Sequence, residues 1–191
     1  EFLPELAAYC KKRNIDFGCT PFYLSAVDEL APYIDFYKIA SYEMMWLDLV
    51  AACAKSNKPL IISAGMATVD EIVESHAHAK LHGSKDIVLL HCTSAYPTPH
   101  VEANLMAIET MRQATGALIG WSDHTVDPGV IHRAIHRWDA KVIEFHLDLD
   151  GKGDEYAAGH CWLPDEIKPV ILQTRHAFVC DGDGIKVPTL S

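Results

Sequence analysis

Six short apolar runs, rich in β-branched residues, punctuate this chain, and helix-like segments fill each interval between them. The runs lie at 15–20, 36–41, 59–63, 86–92, 117–122 and 141–146. Their interiors do not alternate: Ile61-Ile62, Ile87-Val88-Leu89-Leu90 and Val142-Ile143 offer no polar face. A strand with one wet side alternates at period two, whereas a parallel strand covered on both faces stays apolar throughout. The pattern predicts a parallel sheet covered by helices.

The intervals carry helix signals. Thr68-Val69-Asp70-Glu71 is a capping box, Pro128 follows Asp127 as a proline at the first helical position should, and Leu163-Pro164-Asp165-Glu166 opens a last helix. Pro169 falls inside that helix, where a proline is able to kink it. A strand and helix recurring every ~20–30 residues leaves a choice between an open doubly wound sheet and a barrel. No G-x-G-x-x-G or G-x-x-x-x-G-K-[ST] loop follows any run, and polar residues end all six instead of gathering at one switch point. The expected fold is therefore α/β, a TIM-type (β/α)8 barrel, incomplete and covering about six βα units. Residues 1–191 are read as a single barrel domain with N-terminal units absent. Glu1 opens the chain, and 2–13 reads as the second half of a helix, so more chain is expected upstream.

A formal charge of -10 gives no attraction to nucleic acid phosphates or to an anionic membrane surface. Neither partner is expected. No apolar run approaches the ~18 residues of a spanning helix and no leader pattern opens the chain, so a cytoplasmic location is expected. The six cysteines never form C-x-x-C, and several lie inside apolar runs, which reads as reduced thiols.

Catalytic side chains of a barrel sit at the carboxyl ends of its strands. Thr20 ends the first run, Lys38, Ser41 and Glu43 the second, and Ser63 before Gly65 the third. His91, Thr93, Ser94 and Tyr96 end the fourth, Ser122-Asp123-His124 the fifth, and Glu144 with His146 the sixth. Any one serine or threonine there can be a cap or turn former. As a set, hydroxyls, backbone N–H groups and a lysine suit a phosphate or carboxylate. Lys38 inside an apolar strand needs a counter-anion or must lose its charge, and it is equally the place for a Schiff-base nucleophile. His124 and His146 end consecutive strands, and two imidazoles with a carboxylate or water make a divalent-cation site. His91 is a candidate supporting group, whereas His76, His78, His82, His132 and His136 fall on helices and are expected in solvent.

Several stretches resemble the N-acetylneuraminate (sialic acid) synthase family. They are Cys19-Thr20-Pro21-Phe22, Tyr37-Lys38-Ile39-Ala40-Ser41-Tyr42-Glu43, Pro59 through Thr68, Leu89 through Pro99, Gly120-Trp121-Ser122-Asp123-His124-Thr125 and Val142-Ile143-Glu144-Phe145-His146. The resemblance implies a barrel that condenses phosphoenolpyruvate with an N-acylated hexosamine such as N-acetylmannosamine, giving a nine-carbon 2-keto acid and phosphate. It implies that His124 and His146 hold Mn2+ (or Mg2+), acting as a Lewis acid on the sugar aldehyde. Thr20, Lys38, Ser41, Ser63, Ser94 and Ser122 would bind substrate with Lys38 stabilising charge, while Glu43, Tyr96 and Asp154 would face the sugar. The family's early strands and its C-terminal antifreeze-like domain are not matched, and the full-length parent is expected to be a homodimer. Phe145, Ser94, the 151–154 loop and Gly159-His160-Cys161-Trp162 depart from the family pattern. A Schiff-base aldolase using Lys38 and a non-catalytic barrel fragment are the competing readings.

Overall fold

The computed structural model describes residues 2–188; Glu1 lies outside them. Seven strands form one sheet in chain order, each parallel to its neighbours. They are β1 (Gly18–Cys19), β2 (Phe36–Ile39), β3 (Leu60–Ser63), β4 (Ile87–Cys92), β5 (Leu118–Asp123), β6 (Ile143–Leu147) and β7 (Cys161–Trp162). Helices α1 (Phe2–Arg13), α2 (Leu24–Leu30), α3 (Leu47–Lys55), α4 (Val69–Leu81), α5 (Ala107–Thr115), α6 (Pro128–Trp138), α7 (Asp154–Ala157) and α8 (Pro164–Val179) fill the intervals. The sheet is curled into part of a TIM-type barrel. Lys38 on β2 and Ser63 on β3 both reach Glu144 on β6, which a flat sheet of this order would hold several strands away.

The six expected strands are present, and β7 is a seventh that the sequence reading lacked. Two residues between Gly159-His160 and Leu163-Pro164 make no apolar run, so β7 has no pattern of its own to read. Its pairing, His146 opposite Cys161, comes from tertiary contacts.

The helix signals behave as physical chemistry asks. The Thr68 hydroxyl accepts from Glu71 N while the Glu71 carboxylate accepts from Thr68 N, closing the capping box. Asp127 accepts from the backbone N–H of Gly129 and Val130 at the start of α6. The α8 helix opens with Glu166 accepting from Leu163 N and runs through Pro169 without a break. Thr68→Ala should cost about 1 kcal/mol, read as a shift in the urea midpoint.

Period-two geometry sorts the strand residues. Tyr37, Ile39, Leu60, Ile62, Leu89 and Ile119 are fully buried against the helices, where they join Leu49, Val50, Ile108 and Met111 in the main core. The opposite parity faces the barrel axis. Phe36, Ile61, Val88 and Leu118 form its lowest layer and line a cavity of about 690 Å³ at the amino ends of the strands. Above them come Ser63, Leu90 and Gly120, then Cys92, Ser122 and Glu144, while Lys38 pairs with Ile61 and its long side chain reaches up to Ser63 and Glu144. Gly120 is needed there, because a Cβ would lie 2.4 Å from the Val142 carbonyl oxygen. A smaller cluster of Ile131, Trp162, Ile167 and Val170 packs α6 and α8 behind β7.

Two surface expectations divide. His132 and His136 lie on exposed or half-exposed faces of α6, but His76 is buried on α4, where burial lowers its pKa. All six cysteines are free thiols, as expected.

Candidate active site

A cavity of about 240 Å³ opens at the carboxyl ends of the strands, lined by Thr20, Lys38, Ala40, Ser41, Ser63, Cys92, Tyr96, Ser122, His124, Glu144 and His146. The larger cavity, at the other end, lies away from the carboxyl ends of the strands, where the catalytic side chains of a barrel sit. Of the residues singled out from sequence, nine line the smaller one: Thr20, Lys38, Ser41, Ser63, Tyr96, Ser122, His124, Glu144 and His146.

Its centre is one carboxylate held by three donors. The Lys38 Nζ lies 3.5 Å from Glu144 Oε1, the Ser122 hydroxyl donates to Glu144 Oε2 at 2.6 Å, and the Ser63 hydroxyl to the same oxygen at 3.4 Å. Lys38 also donates to Ser63 Oγ at 2.7 Å and to its neighbour's carbonyl, Ile39 O, at 3.0 Å. Burial pulls the Lys38 ammonium below its ordinary pKa, and the charge of Glu144 opposes that pull. The expected counter-anion for Lys38 is thus present, supplied from across the barrel instead of from an adjacent strand.

Beside this cradle, Ser41 Oγ accepts from Gly65 N at 3.1 Å and meets Cys92 Sγ at 3.5 Å. A Cβ on Gly65 would lie 2.4 Å from Ser94 Oγ and 2.7 Å from Cys92 Sγ. Gly65→Ala should therefore push the β3 loop away from Ser41 and cost about 1–3 kcal/mol, measured by urea unfolding, with weaker anion binding in the same protein. Ser94 Oγ and Glu43 Oε2 are buried with no hydrogen-bond partner among the described residues. Neither Glu43 nor Ser94 lines the cavity wall itself, but orphaned polar atoms of this kind call for a ligand or water.

The histidine pair is adjacent, its ring centroids 5.3 Å apart. His124 Nδ1 donates to the Thr93 carbonyl at 3.0 Å, which fixes the tautomer and leaves Nε2 free to ligate. Burial lowers the His124 pKa, favouring the neutral imidazole that a metal requires. His146 Nδ1 meets Glu155 Oε2 at 3.1 Å. Imidazoles prepared in this way fit a divalent cation. The Tyr96 ring lies against His124, tilted by 35° at 4.1 Å, and stands edge-on to His146 at 5.8 Å.

Two candidates lie elsewhere. His91 Nε2 donates to the Ala103 carbonyl at 2.9 Å and its ring packs on Trp121, so it anchors a loop to β4. Asp154 is exposed at the first residue of α7, and its successor Glu155 is the one that turns to His146. Sequence reasoning also missed Asp123 as an organiser. This fully buried carboxylate accepts from both indoles, Trp121 Nε1 at 3.0 Å and Trp162 Nε1 at 3.3 Å, and from Thr125 Oγ1, Thr125 N and Val126 N. It holds the turn that presents His124. That turn carries strain, for Val126 is a β-branched residue at φ 52.

His160 and Cys161 were noted in the sequence only as a departure. Both are buried beside His146, and their signal was a His-Cys pair, two metal-ligand types in succession, after the sixth run.

Comparison with known proteins follows the same lines. Residues 1–186 match the profile of the NeuB family. The N,N'-diacetyllegionaminic acid synthase of Campylobacter jejuni is 38% identical over 187 residues, 95% of this chain and 55% of that protein. The N-acetylneuraminate-9-phosphate synthase of Drosophila melanogaster is 30% identical over 86% of this chain and 44% of its own length. The N-acetylneuraminic acid (sialic acid) synthetase of Leptospira borgpetersenii, solved in complex with citrate, superposes with a TM-score of 0.85 at 29% identity, covering 97% of this chain and 66% of that one. The chain spans about half the length of the curated relatives it matches.

Proposed function

Because the chain belongs to the NeuB family, we propose that it is the catalytic barrel portion of a sugar acid synthase. In this reading it condenses phosphoenolpyruvate with an N-acylated hexosamine to give a nine-carbon 2-keto acid and phosphate. The observation that carries the reading is the cradle in which Lys38, Ser63 and Ser122 converge on a carboxylate at the carboxyl ends of the strands. Three donors that hold the carboxylate of Glu144 have the chemistry to hold that of a ligand.

Lys38 and the hydroxyls of Thr20, Ser41, Ser63 and Ser122 bind the carboxylate and phosphate of phosphoenolpyruvate and fix its orientation. Glu43, whose buried oxygen has no partner, and Tyr96, which borders the histidines, face the sugar. The enol carbon then bonds to the aldehyde carbon, water adds to the former enol, and phosphate leaves. Charge gathering on the carboxylate and phosphate is stabilised by Lys38 and by hydroxyls already in place. A divalent cation on His124 and His146 would supply Lewis acidity at the aldehyde oxygen. The relatives are synthases of different sugar acids, so the acceptor sugar is proposed only as a class.

A Schiff-base aldolase is the second reading, favoured by the lowered pKa of Lys38. Against it, the amine donates to Ser63 and Ile39 and faces Glu144, surroundings that suit an ammonium better than a free lone pair. Borohydride reduction in the presence of pyruvate or phosphoenolpyruvate, followed by mass spectrometry, is expected to leave Lys38 unmodified. A reduced pyruvyl adduct on its peptide would install the aldolase reading instead.

A further inference from the structure

His146 has a second set of neighbours that the synthase reading does not use. On one side lies His124; on the other lie Glu155 of α7 and the pair His160 and Cys161 at the start of β7. One ligand atom from each of His146, Glu155, His160 and Cys161 can be chosen so that all four lie within 4.8 Å of one another. Glu155 Oε2 is the hub, 3.1 Å from His146 Nδ1, 3.7 Å from Cys161 Sγ and 3.9 Å from His160 Nε2. Ligands about 2.0–2.3 Å from a tetrahedral ion stand roughly 3.3–3.8 Å apart, so rotamer adjustments alone would close the set.

The group is built into the fold. Register pairing sets Cys161 directly beside His146. Asp148 accepts from the backbone N–H of Asp150, Gly151 and Gly153, which fixes the loop leading into α7 and hence the position of Glu155. His160 is only 6% exposed, and its Nδ1 is buried with no hydrogen-bond partner among the described residues. With Nδ1 unpaired, nothing else in the described residues fixes which ring nitrogen carries the proton, so Nε2, 3.9 Å from Glu155, can present a lone pair to an ion at the hub.

We propose that His160, Glu155 and Cys161 join His146, without His124, in coordinating the dication, making the site one for a borderline-soft ion such as Zn2+ or Co2+ in place of the His124–His146 pairing. The proposal rests on the synthase reading only in taking His146 as a ligand. Its donor set of two imidazoles, a carboxylate and a thiolate is unlike the oxygen-rich shell that Mn2+ or Mg2+ favours. The carboxylate and thiolate together balance the charge of a dication, and the Cys161 thiol releases its proton to solvent as the Co–S or Zn–S bond forms.

Titrating chelator-stripped protein with Co2+ tests it without any turnover. The expected result is a thiolate-to-cobalt charge-transfer band that Cys161→Ser abolishes, with Co2+ affinity falling at least ~10-fold in His160→Ala and in Glu155→Gln. Glu155 is largely exposed, so its variant stays readable if His160→Ala does not fold. Absence of the band, failure of Co2+ to bind, or affinity lost only in His124→Ala and His146→Ala would each overturn the proposal. Phosphoenolpyruvate titrated into the same stripped protein reports on the cradle separately, so a failed metal proposal and a failed synthase reading give different results.

Discussion

Lys38→Ala should weaken phosphoenolpyruvate binding by about 10²-fold, measured by isothermal titration against the unmodified protein. Among the described residues the lysine is the one Lys or Arg lining the cavity, mostly buried, and already committed to a carboxylate. Removing one partner of a buried, hydrogen-bonded charge pair costs about 2–5 kcal/mol, and 1.4 kcal/mol is tenfold in affinity. Ser63→Ala, which deletes one neutral donor, should cost about 1 kcal/mol, roughly fivefold. The fold should tolerate the Lys38 change, because Glu144 keeps the Ser63 and Ser122 hydroxyls and is over a third exposed to water. Equal affinity in Lys38→Ala and the unmodified protein would show that the cradle does not hold phosphoenolpyruvate.

Asp123→Ala should act in the opposite way, on stability first. Its carboxylate satisfies five donors, including indoles from β5 and β7 and the backbone after His124. Deleting it strands these groups in the interior, and a loss of about 3–5 kcal/mol is expected. That is a large part of the roughly 5–15 kcal/mol a domain has. With a slope near ~2 kcal/mol per molar urea, the midpoint should fall by about 1.5–2.5 M. Asp123→Asn keeps one acceptor but turns an N–H2 toward donors, so it should fall between the two. A midpoint within ~0.3 M of the unmodified protein for Asp123→Ala would show that water replaces the carboxylate at little cost.

The barrel class and the inward lysine were legible for one reason. Parallel strands covered on both faces stay apolar, so a Lys38 or a Glu144 inside such a run has to point at something polar. The hydroxyls could be read as a group because each ends a run of known polarity. What was not legible depends on geometry that period and composition do not carry. β7 is two residues long and owes its pairing to β6. Asp154 and Glu155 differ by a hundred-degree step around a helix of four residues, too short to show a periodic face. Asp123 owes its role to Trp162, 39 residues away in sequence. His91 reads as a supporting group because it ends a strand, and what its ring engages, the Ala103 carbonyl and Trp121, is set by folding that the strand pattern does not carry.

The two-residue period of the strands also bears on how such a protein can change over time. Tyr37 and Ile39 are locked between sheet and helices, so replacing either disturbs packing across the main core. Lys38, between them, has its head group in the cavity and could be exchanged without moving either neighbour. The same holds for Ser122, set between Trp121 and Asp123, and for Ser63 after Ile62. Drift at cavity-facing positions can therefore retune which anion or sugar is accepted, while selection for folding acts on the alternate positions. Specificity and foldability are written on opposite faces of the same strands, and a library varying only Thr20, Lys38, Ser63, Ser122 and Glu144 should stay largely folded while its ligand preferences spread.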